Sequence, residues 1–97
     1  MIQKLIELLS DKKRWTQGAN ARDANEFEVA PSSKLATCWC LAGAISKCTR
    51  NTGDFDSLVH LLNCEVSAKT NFHSIITFND HSTHQEVLNL LKGIDAR

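Results

Sequence analysis

The sequence predicts a mainly α fold: about four helices around a buried central helix at residues 35–48, a small β-hairpin near residues 19–30, and a possible third short strand near 72–78. Three observations carry this expectation. Apolar residues recur at helical spacing near both ends of the chain. The stretch Leu35 to Cys48 holds fourteen residues with a single charge, Lys47. Thr83-His84-Gln85-Glu86 has capping-box form, in which threonine and glutamate satisfy amides at each other's ends of a first turn. A chain of 97 residues has the length of one domain, 1–97. With 42% apolar residues, 23% charged, four glycines and one proline, it is neither disordered nor of low complexity.

Taken in order, Ile2, Leu5, Ile6, Leu8 and Leu9 form one stripe with Gln3, Lys4 and Glu7 between them, the mark of an amphipathic first helix. Lys12, Lys13 and Arg14 follow near its end, where cations complement the exposed carbonyls of the helix dipole. From Trp15 to Pro31 the helical period is lost, and Gly18, Asn20, Asp23 and Asn25 supply turn chemistry. Phe27, Glu28 and Val29 after the Asp23–Glu26 turn suggest a hairpin with residues 19–22. Pro31 ends such a strand, and Ser32 or Ser33 is placed to cap the central helix, where Ala36, Ala42, Gly43 and Ala44 let neighbouring backbones approach closely. Asp54 is the expected cap of a third helix carrying Phe55, Leu58, Val59, Leu61 and Leu62 and ending near Cys64 or Val66. Phe72–Phe78, with two isoleucines, a threonine and two aromatics, leans extended. Val87, Leu88, Leu90, Leu91 and Ile94 give the last helix its apolar face.

Eleven Lys plus Arg balance eleven Asp plus Glu, so no overall field draws the chain to nucleic acid or to an acidic membrane surface. No apolar run approaches the length of a membrane span. Lys4 and Glu7 interrupt the apolar start in a way a signal peptide does not, so the expected setting is the reducing cytoplasm, with Cys38, Cys40, Cys48 and Cys64 as thiols.

Four cysteines and four histidines raise the question of a structural zinc site. No Cys-x-x-Cys pair occurs, and Cys38 and Cys40 on a helix would lie about 200° apart around its axis, so no metal or other cofactor is expected. His60 and Cys64, at i and i+4, are the better-placed pair, and the spacing of His81 and His84 would let them share a face. A cysteine nucleophile needs a depressed pKa and an adjacent base, whereas the apolar surroundings of Cys38 and Cys40 favour inert thiols. Glycine-rich phosphate loops, serine-nucleophile motifs and paired-carboxylate motifs are absent from the sequence.

The most informative polar set is Trp15, Thr16, Gln17, Asn20, Arg22 and Asp23 in the first loop together with Asn79 and Asp80 before the last helix. Two such loops meeting over the central helix would bring Arg22 to Asp80 and let Gln17 or Asn79 hold loop backbone. These residues line any pocket that exists. The competing reading, that they satisfy buried loop amides and carbonyls, takes precedence, because a long irregular segment has many such groups.

The blocks Trp15-Thr16-Gln17-Gly18-Ala19-Asn20-Ala21-Arg22-Asp23, Cys38-Trp39-Cys40-Leu41-Ala42-Gly43-Ala44-Ile45 and Phe78-Asn79-Asp80 followed by Thr83-x-x-Glu86-Val87 resemble, in this order, a family of small bacterial and bacteriophage proteins known only as a domain of unknown function. Phe78 stands where that family more often has tryptophan. The resemblance implies a shared fold and an intracellular setting, and it brings no catalytic residue. The functional expectation is a non-catalytic binding module with a protein partner, of the type of a phage or prophage modulator of a host protein. One alternative is a small enzyme or ligand receptor built on Gln17, Arg22, Asn79 and Asp80 with Cys38 or Cys40, and another is a zinc-binding domain. Oligomeric state is left open by the sequence.

Overall fold

A computed structural model describes residues 1–97 and is mainly helical, with a small antiparallel sheet. Helix α1 (Ile2–Leu9) is followed by a 3-10 turn (Lys12–Arg14), strand β1 (Ala21–Arg22), strand β2 (Cys38–Trp39), and helices α2 (Leu41–Cys48), α3 (Phe55–Lys69), α4 (Ile75–Asp80) and α5 (His84–Asp95). One cluster of 16 buried side chains takes members from all five helices and both strands. Leu5, Leu9, Leu41, Ala44, Ile45, Leu62, Val66, Val87 and Leu91 are completely buried within it. Those positions are the apolar stripes read from the sequence, so burial of helical faces builds the core as expected.

The central helix starts later than its apolar pattern suggests. Leu35 is two-thirds exposed, Cys38 and Trp39 are extended, and only Leu41–Cys48 is helical. An uncharged run fits a buried strand as well as a buried helix. Here the backbone of 37–40 finds strand partners: Thr37 N–H donates to the Arg22 carbonyl at 2.9 Å and Cys40 N–H to the Asn20 carbonyl at 3.2 Å. Neither Ser32 nor Ser33 caps α2. Cys40 does so, its sulfur accepting from Gly43 N–H at 3.3 Å.

The region near residues 19–30 does fold back on itself, but through a single bridge, Arg22 to Glu28, flanked by Val29 N–H to the Ala21 carbonyl. Its turn is built as the residue types require. Asp23 Oδ1 accepts from the N–H groups of Asn25 and Phe27, and Glu26 takes a left-handed φ of 67°. The registered partner of β1 is instead β2, pairing Ala21 with Trp39 and Arg22 with Cys38. A parallel bridge ties Trp15 to Trp39, so the first loop and β2 share one small sheet region.

No third strand forms at 72–78. Ile75–Asp80 is helical, because Ser74 Oγ accepts from Ile76 N–H and Asn63 Oδ1 from Ile75 N–H, which caps the turn, and the outer edges of the two-stranded sheet are already bridged by Glu28 and Trp15. Its buried residues, Ile75, Phe78 and Asn79, repeat at helical spacing. Helix α3 runs beyond Val66 to Lys69, and Asp54 stands at its N-cap without a side-chain cap bond. The capping box of α5 is present with both reciprocal bonds.

Candidate functional site

Two polar segments, far apart in the chain, close over the N-terminal end of α2. Asn79 sits at their centre and is completely buried. Its Oδ1 accepts from the Trp15 indole N–H at 2.7 Å and from Leu41 N–H at 3.1 Å, while its Nδ2 donates to the Thr16 carbonyl at 3.0 Å and to Asp80 Oδ1 at 3.3 Å. These four bonds exhaust the amide. Gln17 Nε2 reaches the other way, donating to the carbonyls of Asn79 and Ser82 at 2.9 and 2.8 Å. Gly18, at a φ of 78°, turns its N–H onto Asp80 Oδ1 at 2.9 Å.

The expected Arg22–Asp80 pair does not form. The Arg22 guanidinium is turned into its own loop, where it donates to Thr16 Oγ1 at 3.2 Å and to the carbonyls of Glu26 and Gln17 at 3.1 and 3.2 Å. Three oxygens within a few residues of Arg22 outcompete a carboxylate on another element, because closing a local ring loses less chain freedom. Asn20 belongs to the same construction through its backbone. Its carbonyl accepts from Cys40 N–H and lies where a Cβ on Gly43 would stand, 1.8 Å away. Gly43 is therefore the residue that lets the loop settle onto α2.

Trp15, Gln17, Arg22, Asn79 and Asp80 are thus joined, directly or through one intervening group, into a single clasp. The sequence did not show that His84 belongs beside it. The His84 ring lies 5.8 Å from that of Trp15 and its Nε2 contacts the Leu9 carbonyl at 2.6 Å, which links α5 to the end of α1. Trp39 is nearly buried, with its indole N–H on the Pro31 carbonyl at 3.0 Å and Lys47 Nζ 5.1 Å above its ring.

Beside the clasp lies a cleft of about 270 Å³ between the first loop and α4, with Asn20, Glu28, Cys40, Ile76 and Asp80 on its walls. Burial pushes the Cys40 thiol above its ordinary range, against the opposing pull of the Gly43 N–H. Its sulfur is occupied by that N–H and by Asn20 Oδ1 at 3.8 Å, and Cys38 contacts the Arg22 carbonyl at 3.9 Å. Both thiols therefore face amides and carbonyls, whereas a nucleophile needs a base at hydrogen-bond distance. Nowhere do three side chains of His, Cys, Asp or Glu converge in a way that would hold a metal ion, so a closed four-ligand zinc site is not built by this fold. No helix is long and apolar enough to cross a membrane.

The profile of a family of unknown function, DUF6197, matches residues 1–96. The chain belongs to this family. DUF6197 membership covers the clasp, the cleft and the core together, and it carries no assigned activity. No curated protein and no solved structure matches the chain.

Proposed function

We propose that this DUF6197 chain is a non-catalytic interaction module whose partner is a protein. The observation that carries this reading is the engagement of the polar clasp with itself. The Asn79 amide has no unused bond, and the Arg22 guanidinium is held by three oxygens of its own loop. Residues so engaged form a scaffold. Apolar side chains also face solvent around the scaffold: Phe27 and Ile76 are more than half exposed, and Ile76 borders the cleft together with Glu28. An aliphatic anchor on the wall of a concavity, with an exposed aromatic next in the chain to its lining residue Glu28, is the kind of feature on which protein interfaces concentrate their binding energy.

The partner we favour is a host or phage protein in the cytoplasm, on the resemblance to small bacterial and phage proteins. Capture from lysate of the source organism tests the reading, with Phe27→Ala/Ile76→Asp as the comparison. A partner retained by the native chain and lost by this folded variant is the expected result. Substrate turnover abolished by Asp80→Asn, with no partner retained, would refute it.

A further inference from the structure

Outside the clasp, the exposed face of α3 carries a second constellation of side chains. His60 and Cys64 stand one helical turn apart, and the thiol sulfur lies 3.7 Å from His60 Nε2. The pair opens onto a shallow groove also lined by Asn63, Ser67 and Ala68. We propose that His60 and Cys64 form a two-ligand site for an exchangeable, borderline-soft divalent metal ion of the zinc class.

The separation of the two donor atoms supports this. With metal–sulfur and metal–nitrogen bonds of about 2.3 and 2.0–2.1 Å, two ligands of a tetrahedral ion stand about 3.6 Å apart. The structure holds sulfur and nitrogen at 3.7 Å, close to that separation. Two donors at i and i+4 on one helix face are also the spacing by which helices elsewhere present a pair of histidines to zinc. Imidazole and thiolate are the donors this class of ion prefers over carboxylate or carbonyl.

The neighbours define what kind of site this is. Asn63 Oδ1 is engaged with Ile75 N–H and contributes no ligand, and the next imidazole, His73, is held by Ser67 Oγ through Nδ1 at 3.4 Å. Since no third acidic, imidazole or thiol group joins the pair, water fills the remaining positions. A two-ligand site of this kind exchanges its ion and leaves the fold independent of it, unlike the closed four-ligand sites on which small zinc domains depend. On binding, the Cys64 thiol proton passes to solvent and the sulfur lone pair bonds to the ion. His60 binds as neutral imidazole through Nε2, with its proton on Nδ1. Binding therefore strengthens as pH rises.

Titration of the full-length chain with cobalt(II), followed by displacement with zinc, tests the proposal. The expected result is a sulfur-to-cobalt charge-transfer absorption at one ion per chain, absent in Cys64→Ser and retained in Cys48→Ser. His60→Ala should weaken binding by about tenfold or more, since even outer partners of metal ligands are worth about 10–100-fold. His60 and Cys64 are exposed, so His60→Ala and Cys64→Ser should keep the native circular dichroism spectrum, and Cys48, half-buried against the core, is replaced by a side chain of nearly the same size. A native chain without the absorption at saturating cobalt, an unchanged absorption in Cys64→Ser, or native affinity in folded His60→Ala would overturn the assignment.

Discussion

The helical core and the clasp over α2 hold the same molecule together by different means. In the core, Leu5, Leu9, Leu62, Val66 and Leu91 are buried by one another, and any side chain of similar shape and apolarity serves. In the clasp, the contacts are directional: the Asn79 amide meets an indole N–H, a helix-start N–H, a carbonyl and a carboxylate in one arrangement. Exchange of the oxygen and nitrogen of that amide would break all four bonds at once. The core therefore tolerates change by degrees, whereas the clasp either closes or opens.

The seam between the two regions gives the largest expected effect. Alanine normally improves on glycine inside a helix by about 1 kcal/mol. At Gly43 the added Cβ meets the Asn20 carbonyl oxygen at 1.8 Å and its carbon at 2.7 Å, and backbone tied to Cys40 has little freedom to retreat. Gly43→Ala is expected to destabilise by about 3 kcal/mol or more, or to abolish folding, as read from denaturant midpoints. A stable variant would show that the first loop is not seated on α2.

Leu91→Ala and Asn79→Ala sharpen the contrast between the regions. The first removes a fully buried side chain from the centre of the core and should cost about 2–5 kcal/mol while preserving one cooperative transition. The second leaves the Trp15 indole N–H, the Leu41 N–H and the Thr16 carbonyl without their partner, at about 1–3 kcal/mol. Its signature is local. Amide exchange at Leu41 should accelerate while the amides of α5 stay protected. Uniform loss of protection in Asn79→Ala would make the clasp part of the core's cooperative unit.

A smaller effect follows from charge. Bidentate hydrogen bonding from Arg97, reinforced by Lys69 at 3.4 Å, holds the Glu65 carboxyl below the usual carboxylate range. A carboxyl depressed in the folded state stabilises the fold above its unfolded pKa of about 4.3, and that contribution disappears as pH falls through the lower folded value. Burial raises Cys40 and Cys48 instead, so their contribution is complete below about pH 8.5 and is lost as pH rises through the higher folded values. Urea midpoints measured across pH should fall at both extremes. Glu65→Gln should flatten the acid limb alone, and an unchanged acid limb would remove Glu65 from this account.

Particular residues show how much was legible beforehand. The stripes at Leu5/Leu9 and Val87/Leu91, and the box from Thr83 to Glu86, report local periodicity and local capping, which neighbouring residues settle among themselves. Cys38 and Trp39 lie in an equally apolar run, yet they became strand, because their backbone pairs with residues about seventeen positions earlier. Phe72–Phe78 has strand-forming composition, and Ile75–Asp80 became helix because Asn63 and Ser74 supply its caps and no sheet edge accepts it. For the polar set, the meeting of Gln17 with Asn79 was foreseeable from two amide-rich loops. The turning of Arg22 away from Asp80 was not, since it depended on three oxygens whose positions exist only in the folded loop.

The sequence by itself determined that this chain is mainly helical, which faces its first and last helices bury, and which two loops carry the amide-rich polar set. Those properties follow from the spacing of residue types along the chain, which no partner can alter. Tertiary structure alone decided where α2 begins, which strand β1 pairs with, and how each amide and guanidinium is used. Each of these is a choice among competing partners of similar chemistry, and only the distances fixed by the packed core select one of them.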